Sequence, residues 1–318
     1  MPISGPTSYV PTVEEFLGHW LSVDTALGAG NELVLPGAVN RAALQTRLDA
    51  LVAKQADVQA KINAEEIARG DIEIRRSDLL TRANQFNDKV RALLPGSKWV
   101  RALPNVPTIN ESQGKFVQPL DDIGNLWGLI NADPAIPDIV LLGGYVVATY
   151  LTDVTGLKSA STALNLAGSN SKVAREERND IQDDIHAVLV SYRQLMPTHF
   201  AKTHALVESL PKLTPDPGST PDAVTANGVW DVASGMARIT WTASTNTNLA
   251  QYEVRFCAGP NYSTENESVA ASIAPGGTLE VLIDHGLPTP GSVATYRVYV
   301  ITSTGNEKGS NTVEISRP

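Results

Sequence analysis

The sequence predicts a multidomain chain: a mainly α, antiparallel long-helix bundle with an internal duplication, followed by an all-β sandwich. Three observations predict it. A pattern recurs at a fixed offset of 106 residues in the first two-thirds of the chain. Each copy closes on a long stretch with helical period. Near residue 222 the period switches to strand alternation.

The repeat is read by setting Gly37 over Gly143, within LVLPGAVNRAAL (33–44) and IVLLGGYVVATY (139–150). Without gaps, Leu48 meets Val154, Leu51 meets Leu157, Ala68-Arg69 meets Ala174-Arg175, and Phe86 meets Tyr192. Each copy has a short helix (about 12–26 and 119–131), an apolar run with a glycine turn, and a long helix (about 38–94 and 144–196). Pro95-Gly96 ends the first long helix and Pro197 the second, since proline lacks a backbone donor.

The first long helix carries a coiled-coil seam at Leu44, Leu48, Leu51, Gln55, Val58 and Ile62, resuming at Ile72, Leu79, Ala83, Phe86, Val90 and Leu93. Seam positions in the middle are polar: Glu65, Arg69 and Arg76 in one copy, Gly168, Ser171, Arg175 and Arg178 in the other. Apolar ends and a polar waist predict two small cores joined by a helical neck. AGSNS (Ala167 to Ser171) is a candidate break in the second helix. The irregular connection 95–118 is too short to return comfortably along a rod of roughly 75 Å, at about 1.5 Å per residue. The long helices are therefore expected to run antiparallel.

The predicted boundaries are an extended tail (1–11), helical repeat one (12–94), a linker (95–118), helical repeat two (119–212), a proline-rich linker (213–221) and the sandwich (222–318). In the sandwich, Ala237, Ile239 and Trp241 share a face, as do Tyr252, Val254 and Phe256, and Tyr296, Val298 and Val300. Trp241, Tyr252, Leu287 before a Pro-Gly turn, Tyr296-x-Val-x-Val and NEKGSNT together resemble a fibronectin type III domain over about 218–318. That resemblance implies a binding or spacer module without catalytic residues, with Trp241, Tyr252 and Tyr296 in its core. The spacing from Leu287 to Tyr296 exceeds the usual pattern, so the corner there is expected to be rebuilt. The helical region resembles only uncharacterised bacterial proteins with this domain order.

Composition sets further bounds. A formal charge of -9 argues against a nucleic-acid partner, because phosphates need a basic face. One cysteine, Cys257, excludes an internal disulfide. The N-terminus has no Sec-type leader, so the expectation is a cytoplasmic chain or one exported by another route. The apolar stretch Ile136–Leu151 is too short and interrupted to span a membrane, which takes about 20 residues.

No motif converges on a reaction, and the expectation is no enzyme, no cofactor and no metal. His199 and His204 lack zinc-ligand spacing, the Arg69-Gly70-Asp71 triplet lies inside a helix, and adjacent Asp121-Asp122 and Asp183-Asp184 diverge on their helices. Three classes remain. The first is a structural protein that assembles with itself into a filament, tube, shell or sheet through the helices, with Ile3, Tyr9 and Val10 of the tail as contact candidates. The second is an adhesin or a carbohydrate- or protein-binding module using Trp230 and Tyr262. The third is a membrane-active toxin inserting Ile136–Leu151.

Overall fold

The computed structural model describes residues 2–215 and 220–318. The centre of the proline-rich linker, 216–219, lies outside the described residues. The chain divides into two compact units: Met1–Asn63 with Ser171–Pro318, and Ala64–Asn170. The division cuts both long helices and so does not follow the repeat boundaries.

In the first unit, a 3₁₀ turn (Pro6–Ser8) leads into α1 (Tyr9–Leu27). Pro11 is tolerated there because the first N–H groups of a helix have no intrahelical partner. The segment 9–11, expected to be extended, is thus helical. The unit also holds the first part of α2 (Arg41–Leu93) and the last part of α5 (Val147–His199). These run antiparallel, with Arg47 on Asp184 (2.6 Å) and Lys54 on Glu177 (2.8 Å). Phe16, Trp20, Leu44, Leu48, Leu51, Ile185 and Tyr192 form the core.

The second unit repeats these parts. Between the end of α2 and α4 (Gln113–Asn131) lies α3 (Lys98–Arg101), where the sequence suggested only an irregular connection. The helix α4 starts six residues before the expected 119. Phe116, Leu120, Ile123, Trp127 and Ile130 make one buried stripe, and that burial outweighs the donor lost at Pro119. The core joins this stripe to Leu79, Phe86, Val90, Tyr150, Val154 and Leu157.

The duplication is therefore three-dimensional. Leu48 and Val154 sit in corresponding cores, as do Phe86 and Tyr192. The Trp20 ring lies tilted against Tyr192 at 4.7 Å, and Trp127 stacks on Phe86 at 4.9 Å. The apolar runs each close a tight turn through one bridge, Leu35 with Val39 and Leu141 with Tyr145. The Leu33 amide donates to Asp24 Oδ1, and the Ile139 amide to Asn131 Oδ1.

Both long helices span 53 residues. No break occurs at Ala167–Ser171: the Ser169 hydroxyl donates to the Asn165 carbonyl one turn back, within the helix. Pro197 lies inside the last turn of α5, which runs on to His199, rather than ending the helix. One seam position departs from expectation: Leu93 is exposed, and Leu94 packs instead.

The C-terminal part of the first unit is an antiparallel β-sandwich. One sheet orders β1 (Ala226–Asp231), β2 (Met236–Trp241) and β5 (Glu280–Ile283). The other orders β4 (Ser268–Ile273), β3 (Leu249–Ala258), β6 (Val293–Thr302) and β7 (Glu307–Gly309), with β8 (Val313–Ser316) also on β6. The last strand is thus delivered in two pieces, both against β6. Inner faces meet in a core of Ile239, Trp241, Tyr252, Val254, Phe256, Tyr296 and Val298.

Candidate functional site

The polar waist of the first unit has a structural reason. Arg175 and Arg178 sit at seam positions of α5 because the β3–β4 loop of the sandwich docks there. Arg178 Nη1 donates to the Glu265 carbonyl (2.9 Å), and Arg175 Nη1 to Asn266 Oδ1 (2.5 Å). From β4, Ser268 Oγ donates to Gln59 Oε1 of α2 (2.9 Å). Burial disfavours the charged form of Arg178 and repulsion from Arg175 adds to this, while attraction to Glu265 opposes both. Below these contacts Val58, Ile62 and Ala174 form a small core touched by Ala258.

Beside this junction lies a crevice of about 660 Å³, walled by Val10, Val52, Gln55 and Val58 on one side and by Phe256, Glu267, Val269 and His285 on the other. Gln55 and Gln182 both donate to the Pro6 carbonyl, fixing the segment that leads into α1.

The sandwich face turned away from its core is held by ions. Arg255 is 2 % exposed and bonds Glu253, Glu267 and Glu307 at 2.7–2.9 Å, with its guanidinium 4.0 Å above the Tyr299 ring. Burial opposes the charge of Arg255, but hydrogen bonding and attraction from Glu307, Glu267 and Glu253 outweigh it and raise its proton affinity above the ordinary value. Tyr262 and Tyr299 donate to Glu267 Oε2. Glu253 lies two residues from Arg255 on the same strand, whereas Glu267 and Glu307 stand 12 and 52 residues away, so the sequence spacing shows only the first of the three partners.

In the second unit a cleft of about 570 Å³ opens between Arg69, Ile72, Glu73 and Arg76 of α2, Ile109, Asn110 and Gln113, and Ser161, Leu164 and Asn165 of α5. Arg76 donates to the Ile109 and Glu111 carbonyls and to Gln113 Oε1, and lies 4.6 Å over the Phe116 ring. A second hollow in this unit holds Asp153, which accepts from Tyr145 Oη at 2.5 Å, and Asp78.

The sequence candidates fall as follows. Trp241, Tyr252 and Tyr296 lie in the sandwich core. Tyr296 Oη donates to the His285 carbonyl, eleven residues upstream, which is the enlarged corner. Ile3, Tyr9 and Val10 pack on the core of their own unit, and the Ile3 amide donates to the Leu213 carbonyl. Arg317 lies over the ring of Trp230, and Arg297 over that of Tyr262. Burial pushes the Cys257 thiol up to about 11. Among the described residues, no group of three His, Cys, Asp or Glu side chains is arranged to hold a metal, and no helix is long and apolar enough to cross a membrane.

No family model matches the sequence, and no curated protein matches it. Several solved structures are similar. An Fn3-like protein from Clostridium thermocellum is 19 % identical over 31 % of this chain and 96 % of its own, with a TM-score of 0.26. Pectate lyase PelI from Erwinia chrysanthemi, in complex with tetragalacturonic acid, is 17 % identical over 29 % of this chain and 28 % of its own, with a TM-score of 0.25. The spore cortex lytic enzyme SleM of Clostridium perfringens is 20 % identical over 35 % and 30 %, with a TM-score of 0.24. This chain spans less than a third of either enzyme. The expectation that the chain is not an enzyme is corrected on this finding: the solved chains similar to it include enzymes. Likenesses of this size assign it no reaction or substrate.

Proposed function

We propose that the chain is a structural protein that assembles with copies of itself through its helices, and that its sandwich is a fibronectin type III domain serving as an interaction module. One observation carries the reading. Ile67 and Ile74, one heptad apart on α2, are 67 % and 65 % exposed, and Leu166 of α5 in the same unit is 61 % exposed. Two large aliphatic side chains on an otherwise polar stretch of α2, with a third exposed on α5, suit a surface that another chain covers. Their spacing is that of a seam, so a helical partner fits them. Light scattering at micromolar concentration tests this. The expected result is an oligomer that Ile67→Glu with Ile74→Glu disperses; a monomer at every concentration overturns it.

A further inference from the structure

The duplication pairs the residues that dock the sandwich with those of the second unit's cleft. In the register of Gly37 over Gly143, Gln59 meets Asn165, Val58 meets Leu164 and Gln55 meets Ser161; Arg175 meets Arg69 and Arg178 meets Ile72. All five counterparts line the one cleft. In the first unit, Gln59, Arg175 and Arg178 make the hydrogen bonds to residues 265–268 of the sandwich.

The chemistry of the cleft is preserved where docking needs it. Arg69 is the same residue as Arg175. Asn165 keeps the amide of Gln59, shortened by one methylene. Arg76 stands where the first unit has Gln182, and each binds carbonyls of the segment leading into the next helix. Charge is complementary as well: the loop carries Glu265, which pairs with Arg178 of its own chain, and the cleft presents Arg76 and Arg69, the latter held by Glu65 and Glu66 of its own helix.

We propose that this cleft receives residues 263–268 of the sandwich of a second copy of the chain. The proposal rests on the self-assembly reading and adds to its helical contact a second one, made by the sandwich. The same loop cannot hold its own helices and a neighbour's, so the contact is an exchange: a sandwich leaves Arg175, Arg178 and Gln59 and docks on Arg69 and Asn165 of the next chain. Ile72 in place of Arg178 removes the donor to the Glu265 carbonyl, so the site on the neighbour is the weaker one and assembly rises with concentration. Cleft and loop are different surfaces, so the contact is head-to-tail and extends into chains or closes into rings.

Sedimentation velocity on the full chain, over a concentration series, tests this. Arg69→Ala with Asn165→Ala is expected to weaken association about tenfold or more, as the loss of a charge-assisted hydrogen bond does. Arg175→Ala, or Gln59→Ala as a milder variant, loosens the sandwich from its own helices and is expected to strengthen association. A melting curve for each variant confirms a folded chain. Association unchanged in the Arg69/Asn165 variant, or weakened by both Arg175→Ala and Gln59→Ala, overturns the docking and leaves self-assembly standing. A wild-type monomer throughout overturns both.

Discussion

At the residue scale, the two turns of the duplication differ at one informative position. Gly37 and Gly143 both have φ near 80°, and the next residue is also left-handed: Ala38 at 59° in one turn, Gly144 at 75° in the other. A Cβ in that region meets the neighbouring carbonyl. Ala38→Gly is therefore expected to stabilise the chain by about 0.5–1 kcal/mol, and Gly144→Ala to cost about 1 kcal/mol. Denaturant midpoints measured side by side check the pair; equal shifts of one sign contradict it.

His19 is the second residue with a definite consequence. Its Nε2–H donates to the Leu206 carbonyl (2.8 Å), which leaves Nδ1 to accept from Tyr192 Oη (2.6 Å). Burial lowers the proton affinity of the ring below its ordinary 6.5, against the opposing pull of the Leu206 carbonyl and Glu15. A histidine kept neutral by folding contributes stability that is complete above the unfolded value. That stability is lost as pH falls from about 6.5 through the lower folded value. Unfolding free energy should therefore drop with acidification in that window, and His19→Phe should flatten this part of the profile. Tyr192→Phe strands the buried Nδ1 and should cost about 1–3 kcal/mol at neutral pH.

At the scale of elements, the duplicated helices are alike in packing but not in polar detail. Trp127 Nε1 donates to the Ile139 carbonyl at 2.9 Å, whereas Trp20 Nε1 has no partner among the described residues. Trp127→Phe should thus destabilise by about 1 kcal/mol more than Trp20→Phe, since only it leaves a carbonyl unpaired. Comparable losses in the two variants would show that the hydrogen bond contributes little. The elements also show where a sequence reading stops. The stripe 116–130 of α4 is as regular as any in the chain, yet the expected helix began only at 119. Local propensity was outvoted by a buried phenylalanine, and burial is decided by what stands opposite.

At the scale of the whole molecule, the sandwich core is closed within residues 224–315. Its links to the helices described above are hydrogen bonds, with the small contact of Ala258. A fragment of residues 220–318 is expected to fold alone with a cooperative melt, and Trp241→Ala in it to cost about 3–5 kcal/mol. An unfolded fragment would show that the outer sheet face, with Arg255 and its carboxylates, needs the helices over it.

The sequence by itself determined the sequence-local properties: the period of each segment, the offset of 106 residues, the seam of α2 and the alternation that places Trp241, Tyr252 and Tyr296 inward. These follow from residue spacing on a helix or strand, which is one-dimensional information. Only the tertiary structure decided what the polar seam residues are for. Arg175 and Arg178 read as weak points of a coiled coil, because nothing near them in the chain shows a sandwich loop 90 residues away filling the gap. The same holds for Glu267 and Glu307, two of the three carboxylates that match the charge of Arg255; the third, Glu253, stands two residues away on the same strand. A buried charge is stable only with its partners in place. Partners brought together by strand pairing leave no spacing in the sequence to be read.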